Sequence, residues 1–269
     1  SFCSNMEDLH DSQPPCSRCQ CIRVCLAFSM RREVLSMLLG TWGLAVDRIG
    51  VEWPIKGEYV VDAIVWSIFL TIFFSSARLG KFEMISVLLV FTPAEFCFTE
   101  GPLPGATMHY YRYREGKKHR LMPLFVPPAH WCLLDLGRRI SKHLPGEKKW
   151  LPLALVSPLV LATIYFFCTG EDTCGIIFLV CLLVFLRWGP QPRLYATMTW
   201  LALLMEIEGT RFGNWEWFPR VPFPYGWTVL NPPVLIGAGY AFFDLVINLL
   251  VGEMSRCSKQ HSGDFLLMA

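Results

Sequence analysis

Glu208-Gly209-Thr210-Arg211-Phe212-Gly213-Asn214-Trp215-Glu216-Trp217 closes one apolar run, and Glu100-Gly101-Pro102-Leu103-Pro104-Gly105 closes an earlier one. In both, a carboxylate is followed by two glycines at the same spacing. An aromatic pair comes next, Tyr111 and Tyr113 in the first case, Trp215 and Trp217 in the second. A proline-rich connector then leads to Pro127-Pro128 or Pro232-Pro233, which opens a new apolar run carrying one aspartate, Asp135 or Asp244. The same order, met twice in 269 residues, reads as an internal repeat.

Composition sets the class of that repeat. The chain is 53% hydrophobic and 17% charged, with a mean hydropathy of +0.39, whereas a soluble domain carries about 25% charged residues. A net charge of +2 supplies no basic field for nucleic acid. Aromatic residues at 14% suit rings at a membrane interface or around an apolar cavity. These values predict a multi-pass integral membrane protein.

Apolar runs at 60–79, 82–98, 122–136, 151–168, 174–188, 194–205 and 231–251 predict an all-α, polytopic membrane helix bundle of about seven spans. In this reading two parallel three-span pseudo-repeats, 58–140 and 174–252, are joined by a linker span at 150–168. The run at 122–136 is short and contains Pro127-Pro128, so a broken or tilted helix is expected there. Residues 31–57 predict an interfacial segment, 253–269 a tail, and 1–30 a disordered Cys-rich tail. Within the last, Cys16-x-x-Cys19 followed by Cys21 lacks the second ligand pair of a zinc site. Lys and Arg divide evenly between the two sides, so charge bias sets no orientation.

Chemistry must come from the polar residues that apolar spans tolerate, because a charge at mid-membrane costs roughly 2.5–3.5 kcal/mol and faces a cavity or a partner. Glu95, Glu100, Glu206, Glu208, Asp135 and Asp244 meet that description. Glu206 and Glu208 sit about 200° apart on a helix, so at most one of them faces a given cavity, and the same holds for Glu95 and Glu100. The matched pair Glu100 and Glu208 is the first choice for proton donor and acceptor, since the glycines fix their comparison. Asp135 and Asp244 would orient them. Alternatively these carboxylates cap helix ends or pair with Arg112 or Arg211. His109 and His130 flank the first connector as proton relays or interfacial hydrogen-bonders. Tyr110, Tyr111, Tyr113, Trp215, Trp217 and Trp227 would stabilise positive charge by cation–π contact or form an aromatic belt, and Trp131 is a further candidate for binding substrate. Asn214 and Asn231 are placed at a polar pocket, Asn231 equally as a helix cap. The six histidines lack the spacing of di-iron His boxes, and no metal or cofactor is expected.

Several of these residues carry a resemblance. Phe91-Thr92-Pro93-Ala94-Glu95-Phe96 resembles the Pro-x-Glu-(Glu) segment of the membrane-bound lycopene cyclases of the heterodimeric bacterial and fused fungal type. The Glu-Gly-x-x-x-Gly and Tyr-x-Tyr series, with Met122-Pro123-Leu124-Phe125-Val126-Pro127-Pro128 and Trp131, is similar to motifs of carotenoid biosynthesis proteins of the bisanhydrobacterioruberin hydratase type. The second half, from Glu208 through Asn231-Pro232-Pro233 to Gly239-Tyr240, also resembles uncharacterised bacterial membrane proteins. The first resemblance implies two three-span units joined by a linker helix. Ala94 before a single Glu95 is a departure from the cyclases.

The expected function is therefore an enzyme acting on an apolar isoprenoid or related lipid of the bilayer. It would protonate a carbon–carbon double bond and lead to cyclisation, isomerisation or hydration. A transporter or lipid-binding protein, and a scaffold subunit whose glycines and prolines pack helices, are the alternatives.

Overall fold

The computed structural model describes residues 33–46, 57–99, 110–113, 122–145, 148–221 and 226–266. The chain divides into two compact units, residues 1–39 and 40–269. Of the first, residues 33–39 are described, and they open helix α1 (Glu33–Val46), where Leu35, Leu38 and Leu39 are exposed. The expectations for residues 1–30, for Glu100 and for His109 lie outside the described residues.

The second unit continues through α2 (Gly57–Ser75), α3 (Arg78–Phe98), β1 (Tyr111–Tyr113), α4 (Val126–His143), α5 (Leu151–Thr169), α6 (Gly175–Trp188), α7 (Pro192–Phe212), β2 (Trp215–Trp217) and α8 (Gly237–Leu266). Leu151–Thr169 and Gly237–Met254 are long and apolar enough to cross a membrane, while Tyr59–Ser75 and Gly175–Trp188 are apolar but shorter. Helices α3 and α7 have 21 residues each, about 30 Å at ~1.5 Å per residue. Their length suffices; charged residues dilute their hydropathy.

One expectation about α4 is corrected. Pro127 and Pro128 do not break that helix but start it, occupying its first turn. The first-turn N–H groups of a helix have no intrahelical partner, and proline's fixed φ suits that position. The helix then runs unbroken for 18 residues to His143. The expected tail after residue 252 is also different: α8 runs on to Leu266, with no proline to stop it.

Helix α7 is the centre of the bundle. Residues 194–199 are buried around its whole circumference, the pattern of a helix enclosed on all sides. It packs against α4, α5, α6 and α8, and α3 packs against α4 and α8. Helix α2 lies on α3 and α4, just as α6 lies on α7 and α8. Fully buried Met84, Leu134, Tyr195, Met198 and Ile247 fill the interior.

The strands are the element that residue periodicity did not anticipate. β1 and β2 pair antiparallel in the register Tyr111↔Trp217, Arg112↔Glu216, Tyr113↔Trp215. Alternation along a strand sends both aromatics of each pair to one face and the central residue to the other. On the outer face Arg112 Nε donates to Glu216 Oε1 at 2.8 Å. Tyr110 N–H donates to the Phe98 carbonyl at 2.8 Å and Thr99 bridges to Tyr111, which fixes β1 at the end of α3.

Candidate functional site

The inner face of this ribbon covers two carboxyl groups. Glu95, near the end of α3, and Glu206, near the end of α7, are both buried. Tyr111 and Tyr113 donate their phenolic O–H groups to Glu95 Oε2, the second at 3.0 Å. Trp215 and Trp217 donate their indole N–H groups to Glu206 Oε2 at 2.7 and 3.0 Å. Burial, with Glu95 next in weight, pushes both phenols well above their usual value, so they remain neutral donors.

The other oxygen of each carboxyl meets one group from the helix that follows. Glu95 Oε1 faces His130 Nε2 of α4 at 3.4 Å, and Glu206 Oε1 faces the Tyr240 hydroxyl of α8 at 3.1 Å. These two rings approach each other, with centroids 5.5 Å apart, and Phe91 stacks on His130 at 4.1 Å. Indole nitrogen only donates, so Glu206 Oε2 is held as an acceptor and any proton on this carboxyl resides on Oε1. Imidazole and phenol both give and take protons. Each carboxyl thus has one clamped oxygen and one oxygen open to proton exchange.

Of the residues named from sequence, Glu95, Glu206, His130, Tyr111, Tyr113, Trp215 and Trp217 come together. Glu208 does not join them: it faces α1, where the Thr41 hydroxyl reaches both its oxygens at 2.9 Å. The preferred member of the 206/208 pair is therefore exchanged. Asp135 pairs with Arg139 one turn away at 2.6 Å on a partly exposed face. Asp244 is fully buried elsewhere on α8. Trp131 packs edge-on against Phe69 in the core. Asn214 donates to the Leu44 carbonyl at 2.8 Å, and Asn231 accepts from the Trp217 N–H at 3.0 Å, so both brace the ribbon end. Tyr240 joins the site without a signal in the sequence, since a lone Tyr in an apolar run carries none of its own.

The glycines of the second motif have local reasons. Gly213 takes a left-handed conformation (φ 69°) and caps α7, with the Asn214 N–H returning to the Gly209 carbonyl at 2.9 Å. A Cβ at Gly209 would lie 2.0 Å from the Trp215 ring. The indole folds back over that bare turn to reach Glu206.

Among the described residues no group of His, Cys, Asp and Glu is placed to hold a metal ion. A pocket of about 620 Å³ is lined by Glu171, Phe218, Pro219, Arg220, Thr228, Val229 and Leu230 and includes neither Glu95 nor Glu206. Compared with known proteins, the chain matches no family model, no curated protein and no solved structure.

Proposed function

We propose that this chain is a multi-pass integral membrane enzyme that performs acid–base chemistry at a carbon–carbon double bond of an apolar isoprenoid or related lipid. Its two parallel units would be α2–α3–α4 and α6–α7–α8, with α5 as linker. The membrane reading is supported by a reversal of polarity. Leu89, Leu161, Val180 and Leu249 face outward while Glu95, Glu206 and Asp244 are enclosed, as expected of helices solvated by lipid. The repeat reading is supported by the matching packing of α2 and α6 and by the ribbon register centred on Arg112 and Glu216.

The observation that carries the chemistry is the pair of carboxyls, each with one oxygen clamped and one facing a proton-exchanging ring. One carboxyl gives its Oε1 proton to an alkene carbon, creating a carbocation beside Tyr and Trp faces. The other takes a proton from a neighbouring carbon, or from water adding to the cation. The His130 and Tyr240 rings between them return that proton to the donor, so no net proton or electron is consumed. Half-buried Tyr113 is the member that an apolar chain would displace on entry.

The test is mass spectrometry of lipid extracts from a carotenoid-producing host expressing the wild-type chain, Glu95→Gln or Glu206→Gln. A new product with the wild type, lost in both variants while the protein still inserts, supports the proposal. Identical extracts for all three remove it.

A transport reading has one observation in its favour, the further buried carboxyl of Asp244. It requires a polar route between the two faces rather than a changed lipid.

A further inference from the structure

A second polar cluster occupies the opposite end of the same helices. Glu83 of α3 pairs with Arg138 of α4, and Arg138 Nη2 donates to Asn248 Oδ1 of α8 at 2.9 Å. A guanidinium only donates, so the amide oxygen of Asn248 must face it. The amide Nδ2 is therefore turned away, buried and without a hydrogen-bond partner. One helical turn earlier, Asp244 is 0% exposed and neither of its oxygens has a partner. Tyr195 of α7, also 0% exposed, lies within electrostatic reach of Asp244, and its hydroxyl, near the Gln191 backbone, completes no hydrogen bond of ordinary geometry.

This inventory selects its guest. Two carboxyl oxygens accept, Asn248 Nδ2 only donates, and the Tyr195 hydroxyl does either. The set needs a small molecule that both gives and accepts hydrogen bonds, which water does and a bare metal cation does not. Charge selects the rest. Glu83 already offsets Arg138, so an ionised Asp244 would leave the cluster with one surplus negative charge at a depth where charge is costly. A proton on Asp244 cancels it.

We propose that Asp244 is a proton-binding site, its proton shared with an ordered water held by Tyr195 and Asn248 and exchanged with the bulk past the Glu83–Arg138 pair. That pair is 19–22% exposed and Asp244 is sealed, so the mouth lies at its end. In uptake, a hydronium at the mouth passes one proton through the water to an Asp244 oxygen and is left as water. Release reverses the transfer, and no other bond changes. The groups facing Asp244 are Arg138 of α4, itself paired with Glu83 of α3, Tyr195 of α7 and Asn248 one turn on in α8, while Cys181 of α6 packs on the apolar cluster that contains Tyr195. When the proton leaves, Arg138 is the cation within reach, and its attraction competes with the Glu83 and Asn248 contacts that hold α3 and α8 to α4. The site stands independently of the chemistry assigned to Glu95 and Glu206.

The test is infrared spectroscopy of the purified full chain in lipid nanodiscs across a pH titration. The expected result is a component of the protonated-carboxyl stretch that shifts in D2O, is missing from Asp244→Asn and persists in Glu95→Gln and Glu206→Gln. Tyr195→Phe, which removes one oxygen, should move that band. If Asp244→Asn does not fold, a band left in place by Tyr195→Phe overturns the proposal. So does a spectrum unchanged by Asp244→Asn, or a sodium-dependent rise in melting temperature that this variant abolishes.

Discussion

Phenols hold Glu95 and indoles hold Glu206, and that difference separates two sites of otherwise matching design. A phenol can rotate its hydroxyl toward another acceptor, or accept a hydrogen bond itself. An indole N–H is fixed in the plane of its ring and can only donate. Glu95 Oε2 therefore sits among partners that can rearrange, and Glu206 Oε2 among partners that cannot. The Glu206 half is the rigid reference, and the Glu95 half is where hydrogen bonds are free to change.

The largest test of this contrast replaces each carboxyl with leucine. Glu206→Leu strands three donors, Trp215, Trp217 and Tyr240, and at about 1–3 kcal/mol for each buried donor left unmade the loss should be about 3–9 kcal/mol. Glu95→Leu strands two phenols that can turn, so about 2–4 kcal/mol is expected. Thermal unfolding in detergent measures both, and equal or reversed costs would dissolve the distinction.

Asp172, in the turn between α5 and α6, sets the pH background for that comparison. Burial pushes its carboxyl up to about 6 from the ordinary 3.8, against the lowering effect of the Gly175 N–H it accepts. Because the folded value is the higher one, its contribution is complete below 3.8 and is lost as pH rises through about 6. The loss is up to about 3 kcal/mol at ~1.4 kcal/mol per pH unit. Asp172→Asn should flatten that slope in melting temperature while leaving the ranking of the two leucine variants intact.

Gly209→Ala strikes the indole half alone. The added methyl meets the Trp215 ring, and overpacking of this kind costs about 1–3 kcal/mol. Tryptophan emission should shift as the ring is expelled, and unchanged emission would count against the packing described. The smallest effect belongs to the seam shared by both halves. Arg112 and Glu216 are 41% and 52% exposed, so Arg112→Ala should cost less than about 1 kcal/mol and lose even that in high salt.

How far the sequence reaches is visible in particular residues. The glycines after Glu208 mark a helix end for the reasons now seen at Gly209 and Gly213, and helical geometry says that only one of Glu206 and Glu208 can face the site. Which one does so depends on the return of Trp215 over Gly209, a tertiary contact that no spacing encodes. The prolines at 127 and 128 punctuate the chain, but whether they break or begin a helix turns on where hydrogen bonding starts. The ribbon was the least legible part. Strands of three residues, paired across 104 positions, are too short for alternation to register. The apolar runs were the most legible, because helices that pack into a bundle show themselves as long hydrophobic stretches.

The ribbon also bears on how the chain tolerates being divided. It stitches residues 111–113 to 215–217 by main-chain hydrogen bonds, while α3 packs on α8 and α4 on α7. A cut between α4 and α5 would leave two fragments, each bringing one carboxyl, one strand and half of that stitching. Co-expressed, such fragments should find each other again, as the two halves of a torn page are matched along the tear.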